Sequence, residues 1–262
     1  MSRRWVASAV CVLFLGATPI SITVAPSTMR YRIDSKSEQV VDLSAMGQPN
    51  QNTSATQMAV LTVSLSDTSG GQLMHVVLDT IASDSPMAGP DLQQARGGWV
   101  HGTLDAWGRA KVTKSSADSN ATIAQLKVTM ARFFPVIKPG AKQGESWVDT
   151  VMTETKTAAQ AMKLTAITTF THGGSVMRDG QPAIRIDATS ELVGVGTMEN
   201  PQAGTMQVDL KNSATASYYI GTGGRFLGGE SKSEGLSQVR AQMSPMPIPV
   251  TVKQTSTFSV MK

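Results

Sequence analysis

The chain has 262 residues, only 16% of them charged, with a formal net charge of +4 and a single cysteine. Lys and Arg are scattered and form no basic run, so nucleic-acid binding is not expected. The one thiol, Cys11, lies near the start of the chain. Without that segment the protein has neither a disulfide nor a thiolate metal ligand.

Residues 1–25 have the pattern of an export signal. Arg3 and Arg4 precede an uncharged, mostly apolar stretch that ends in small residues, and cleavage is expected after Ala17 or Ala25. Removing the two arginines leaves 21 Lys and Arg against 19 Asp and Glu, a net charge of +2. We therefore expect a periplasmic or secreted protein. The alternative is an uncleaved membrane anchor over residues 5–25, which would be the chain's only contact with a membrane.

The residues that follow, 26–262, fit one all-β domain. In the N-terminal half, Tyr31 to Leu43 predicts a first long strand. A hairpin is predicted around Asp67–Gly71 and a second around Asp105–Gly108, where turn-forming residues separate alternating apolar positions. A helical turn is expected at 91–95.

One main helix is predicted at about 120–134. Ile123, Leu126, Met130 and Phe133–Phe134 follow the period of a helix face. Asp118 and Asn120 are both suitable N-caps, and Pro135 is expected to stop the helix. A single helix with one apolar stripe must lie against other structure, so we place it on the sheet.

The C-terminal half alternates strictly between apolar and polar residues. In 205–220 the apolar parity is almost unbroken, and a strand of that length must coil, bend or carry a bulge. Similar patterns occur at 182–193 and 250–261, and a further strand is predicted at 226–241. With strands at 147–155 and 162–171 the total is about eleven, so the expected fold is mainly β: a strongly curved antiparallel sheet or incomplete barrel with the helix packed against it.

Few residues indicate catalysis or metal binding. His75, His101 and His172 are scattered along the chain. His75 and Asp79 are predicted to lie on the same strand face, but no further residue completes a catalytic set with them. Gly144-Glu-Ser146 matches half of a nucleophile elbow, but Val148 replaces the second glycine. An esterase-like hydrolase using Ser146 and His172 is therefore the third interpretation. We expect a non-enzymatic protein without cofactor or metal.

Two resemblances add to this interpretation. The helix, Phe134-Pro135 and the short loop to Gly144-x-Ser146-Trp147 resemble an exported bacterial β-rich protein family of unknown function. The long one-sided strands with a helix resemble, in architecture alone, periplasmic carriers of the lipoprotein-localisation type. That resemblance implies an incomplete barrel whose concave face binds acyl chains behind a helical lid, and no ligand residue transfers from it.

The leading expectation is thus an exported cell-envelope protein with a cavity for an apolar or lipid-like ligand. The alternative is a structural or interaction module that binds an envelope protein partner and no small molecule. Alanines in the inward rows leave space, and methionine, 15 residues in all, serves either as core filler or as a soft cavity lining. The residues predicted to line the cavity are Leu126, Met130, Phe133, Ile184, Ile186, Met206, Val208, Leu210, Tyr218 and Phe258.

Overall fold

The computed structural model describes residues 24–85, 91–156, 160–200, 204–241 and 246–261. Apart from its last two residues, the predicted export segment lies outside the described residues, and so does Cys11.

Eleven strands form a single antiparallel sheet, which confirms the predicted fold class. Their order in the sheet is 5-4-3-2-1-11-10-9-8-7-6, so β5 and β6 are its two edges and the sheet is not closed. The strands are β1 Ser27–Val41, β2 Gln51–Thr68, β3 Gly71–Ser83, β4 Trp99–Leu104, β5 Ala110–Ser115, β6 Ser146–Lys156, β7 Gln160–Arg178, β8 Gln181–Asn200, β9 Gly204–Gly221, β10 Phe226–Ala241 and β11 Ile248–Val260.

The chain enters the sheet at its centre. Strands β1 to β5 run outward to one edge, residues 116–145 cross to the opposite edge, and β6 to β11 run back until β11 pairs with β1. We call residues 116–145 the crossover segment. The β1–β11 register extends from Tyr31 opposite Val260 to Val41 opposite Val250. Both predicted hairpins are present, at β2–β3 and β4–β5.

Register irregularities that bend a sheet occur at four strand pairs. They lie at Val60/Leu61, His101/Gly102, His172/Gly174 and Phe226/Gly228. An extra residue in one strand bends it and increases its twist. The long strand β9 pairs with β8 without a shift and with β10 across one.

The crossover segment contains the main helix, α2, Ala121–Met130, and a four-residue helix α1, Asp91–Gln94, precedes β4. Asn120 caps α2: its Oδ1 accepts the Ile123 N–H at 3.1 Å. The predicted end at residue 134 is too late. The backbone N–H groups of Arg132 and Phe133 bond to carbonyls three residues back, so the chain tightens into turns before Pro135 is reached.

The core lies on the concave face, between the sheet and the crossover segment. Ile123, Leu126 and Met130 of α2 are buried there. The leading residues contribute too: Val24 is buried in this core, and its carbonyl accepts a hydrogen bond from Gln72 Nε2 at 2.7 Å. A chain cleaved after Ala17 keeps this contact, whereas cleavage after Ala25 removes it.

Candidate functional site

A cavity of about 660 Å³ lies between the concave face of the sheet and α2. Ten of the eleven strands, all except β4, contribute residues to its wall. The helix contributes Leu126 and the exposed or half-buried residues beside it. Ligand pockets in proteins occupy roughly 300–1,000 Å³, so this volume suits one small or medium-sized ligand.

The space exists because the middle of the concave face carries small side chains. One cross-strand row joins β1, β11, β10, β9 and β8 through Ser35, Ser256, Ser231, Ala216 and Ala188. The next row carries Gln254, Ser233, Ala214, Ser190 and Thr168 across β11 to β7. Residues directly opposite each other in a sheet lie on the same face. The two rows therefore form a continuous wall of mostly short side chains.

Aromatic rings close one end of the concave face. Phe133 packs against Tyr31 and Phe226 with ring centroids 5.2 and 5.3 Å apart, both close to perpendicular. The Tyr31 hydroxyl donates to the Phe226 carbonyl at 3.0 Å. Phe258 and Tyr218 adjoin this cluster and also face the cavity. Phe258 and Tyr218 therefore form an aromatic floor that is backed by the packed rings of Phe133 and Phe226. The small residues of the two rows form the walls of the cavity.

The walls are more polar than the sequence predicts. Hydroxyl groups pair across strands, as in Ser35 Oγ with Ser256 Oγ at 2.8 Å and Thr168 Oγ1 to Ser190 Oγ at 3.0 Å. The apolar residues at inward positions of the sequence predict a dry apolar space, but serine, threonine and glutamine side chains share the wall with alanine. Such a surface suits a ligand with both apolar and polar parts.

One positively charged side chain enters this cavity without a counter-charge. Arg132, just after α2, lines the wall, and its Nη2 is buried with no hydrogen-bond partner among the described residues. Burial lowers the pKa of its guanidinium, and the nearby Tyr218 opposes that change. Burial also raises the pKa of the Tyr218 phenol to about 12, so this hydroxyl stays protonated at neutral pH and can donate a hydrogen bond.

A second arginine in the cavity wall is paired. Arg109, directly before the edge strand β5, donates from Nε to Asp149 Oδ1 of the other edge strand, β6, at 2.7 Å. Asp105 lies 3.5 Å from the same guanidinium, which also rests over the Trp107 ring at 4.6 Å. The crossover segment reinforces this junction, because Ile137 N–H donates to the Trp107 carbonyl at 2.7 Å. The two edges are therefore joined by side chains and by the crossover segment.

The ten residues predicted to line a ligand cavity fall into three groups. Leu126, Tyr218 and Phe258 line the cavity. Met130, Phe133, Ile184 and Ile186 lie in the packed core beside it. Met206, Val208 and Leu210 lie toward the start of β9, away from the described cavity wall.

Methionine does not line the cavity within the described chain. Met74 and Met130 are instead fully buried in the core. Of the two interpretations of the methionine content, core filling describes these positions.

The hypothetical Ser146–His172 pair is not assembled. Ser146 is directly opposite Thr171 and bonds to its hydroxyl at 2.8 Å, so these two share a face. His172 is the next residue and projects to the other face, where it is buried and its Nδ1 accepts the Gly174 N–H at 3.0 Å. A serine on one face cannot be activated by a histidine on the other.

The remaining histidines form a small surface cluster. His75 stacks on His101 with ring centroids 4.3 Å apart, while Asp79 binds Arg30 and Thr62 instead of His75. Within the described ranges no group of three or more His, Cys, Asp or Glu residues could hold a metal ion. The helices in those ranges are also too short to cross a membrane.

Sequence reasoning missed Arg132, Arg109 and Asp149. Arg132 follows an apolar helix stripe, and a positive charge there is common because it stabilises a helix C-terminus. The sequence therefore offers no reason to place Arg132 in a binding site. Nothing in the spacing of Arg109 and Asp149 indicates that they meet, because the strands that carry them are forty residues apart and lie at opposite edges of the sheet.

No protein-family model and no curated protein sequence matches the chain. Among solved structures, two substituted forms of the porin of Rh. blastica are similar, with TM-scores of 0.27 and 0.26 and 9% identity. Each comparison covers 90% of this chain and 100% of the porin. A loop-deletion form of OmpT, an outer membrane protein of Vibrio cholerae, has a TM-score of 0.16 at 9% identity, over 89% of this chain and 99% of that one. At such scores the likeness carries no argument about fold or function.

Proposed function

We propose that this protein is a non-enzymatic binding protein of the cell envelope that holds a lipid-like ligand between its curved sheet and α2. The observation that carries the proposal is the 660 Å³ cavity, with its aromatic floor and its walls of small side chains. A concave site with apolar surface and a few convergent polar groups is the usual form of a small-molecule site. Envelope location rests on the export pattern of residues 1–25.

The experiment is a titration of delipidated protein with cis-parinaric acid, a fluorescent fatty acid, together with mass spectrometry of lipids extracted from protein purified out of its native envelope. A cavity-blocking variant supplies the structural link. Ala214→Trp places a large ring in the wall, whereas Ser213→Trp places the same ring on the exposed face of the same strand.

Saturable binding that is weakened at least tenfold in Ala214→Trp and unchanged in Ser213→Trp supports the proposal. Circular dichroism establishes that both variants retain the sheet. If the wild-type protein neither binds the probe saturably nor carries extracted lipid, the proposal is wrong.

A second candidate function, an interaction module, is favoured by the convex face near the edge strand β6. Val148 and Met152 of β6 are 59% and 79% exposed, and Ile167 of β7 and Val193 of β8 extend the same apolar surface across the neighbouring strands. Exposed apolar patches beside an unpaired strand edge are typical of protein interfaces.

In-cell photo-crosslinking from position 152 tests this alternative, with the exposed position 253 on β11 as its control. A discrete adduct formed from position 152 alone supports an envelope protein partner. Equal labelling from both positions, or none, contradicts it.

A further inference from the structure

We propose that the cavity selects a single-chain amphiphile with an anionic head group, a carboxylate or a phosphate, and that Arg132 binds this head group with Tyr218 as a second donor. The inference rests on the proposed binding function of the same cavity and adds the ligand's chemical class. It starts from Arg132, a half-buried cation whose Nη2 is buried and has no hydrogen-bond partner among the described residues.

The first step is the state of Arg132. Charged groups inside proteins are almost always paired, because removing an unpaired ion from water costs several kcal/mol, a large part of the net stability of a fold. Among the described residues no carboxylate lies within ion-pair distance of this guanidinium, and its Nη2 is buried without a hydrogen-bond partner. The acidic residue of the cavity wall, Asp149, is already bound to Arg109.

The buried Nη2 of Arg132 does not serve the end of α2. A cation after the last turn of a helix stabilises the exposed carbonyl groups there. Arg132 stands at that position, but its Nη2 donates to no helix carbonyl. Its backbone N–H, by contrast, bonds to the Thr129 carbonyl at 3.1 Å, so the turn is held by the main chain.

The residues around Arg132 suit an anionic group. Arg132 and Tyr218 both line the cavity, and each perturbs the ionisation of the other, so they share one region of the wall. A guanidinium has only donors, and a protonated phenol can donate one hydrogen bond to an anion. A guanidinium also matches two oxygens of a carboxylate or phosphate at once. The alanine and serine rows extend from there and leave room for a chain.

The volume limits the ligand's size. About 660 Å³ falls within the range that holds one drug-sized molecule, which favours one acyl chain over a lipid with several chains.

The test compares cis-parinaric acid with its methyl ester, which keeps the chain and removes the charge. The variants are Arg132→Gln, the charge-conserving Arg132→Lys, and Arg240→Gln as a matched control on the exposed face of β10. We expect wild-type protein to bind the acid at least about tenfold more tightly than the ester, because hydrogen bonds to charged groups are worth a factor of ten or more.

Arg132→Gln should remove that preference and leave ester binding within threefold of wild type. Arg132→Lys should retain most of the preference, and Arg240→Gln all of it. Displacement of the ester probe by dodecanoate and by dodecyl phosphate then separates the two head groups: the one that displaces at lower concentration is the preferred ligand.

Equal binding of acid and ester by wild-type protein overturns this inference while leaving the binding function in place, and it needs no variant to fold. Binding of neither probe, together with the absence of extracted lipid, overturns the proposed function as well.

Discussion

Replacing Asp149 with asparagine should weaken the junction between the two sheet edges by about 1–2 kcal/mol. The Asp149 carboxylate is 8% exposed and accepts from Arg109, whose side chain is 40% exposed, at 2.7 Å. Breaking a fully buried ion pair costs about 3–5 kcal/mol, and breaking a surface pair about 0–1 kcal/mol. The Arg109–Asp149 pair lies between these limits, because the remaining arginine is partly hydrated and keeps Asp105 and Trp107 as neighbours.

Urea unfolding followed by tryptophan fluorescence measures the difference, since Trp107 and Trp147 lie on the two sides of this junction. The matched control is Asp34→Asn, which breaks an ion pair with Arg32 whose side chains are 52% and 43% exposed. The control should lose much less free energy of unfolding than Asp149→Asn, and most of that loss should vanish at about 1 M salt. If both variants lose the same free energy within about 0.3 kcal/mol, burial does not set the value of the Arg109–Asp149 pair and the reasoning is refuted.

Three further predictions concern the helix, the cavity and alkaline stability. Met130→Ala should cost about 2–5 kcal/mol of unfolding free energy because Met130 is fully buried, and Leu126→Ala should fall near the low end of that range because Leu126 already borders open space; equal and negligible losses in urea would contradict the packing of α2. Arg132→Met should leave stability unchanged or raise it by about 1 kcal/mol, because it removes a half-buried charge whose Nη2 has no partner among the described residues. A loss above about 1 kcal/mol would assign Arg132 a structural role. Stability should fall as pH rises above about 10, since the unfolded chain then ionises tyrosine while burial holds the pKa of native Tyr218 near about 12; urea midpoints that stay constant from pH 8 to about 11.5 would contradict this.

The strands and the helix could be predicted because each depends on a local pattern. Alternation in residues 205–220 follows from one buried and one exposed face, and β9 spans Gly204–Gly221. The end of α2 was misplaced because apolar spacing continues through Phe133 and Phe134, whereas the chain has already turned there to bring those rings into the aromatic floor. The spacing of apolar residues predicts which side chains are buried. It does not predict the backbone conformation that buries them.

The cavity could be predicted only in part. Ala188, Ala214 and Ala216 indicate thin walls from the sequence alone, and they line the space. The serines of the same rows indicated merely a polar stretch of strand, because their position on the concave face depends on a register set by distant strands. Arg132 escaped notice for a related reason: an unpaired charge is defined by the absence of a partner, which only three-dimensional neighbours reveal.

The pairing of β1 with β11 has a consequence for how the chain acquires its structure. Each half of the sheet, β1–β5 and β6–β11, is a series of neighbouring antiparallel strands whose contacts are close in sequence and can form quickly. The central ladder joins residues more than two hundred positions apart, so it cannot form until the last strand has been synthesised. Until then β1 has an unpaired edge in the middle of the future sheet. Such an unpaired edge is open to pairing with another chain, so the period before β11 reaches it is the time of greatest risk of aggregation.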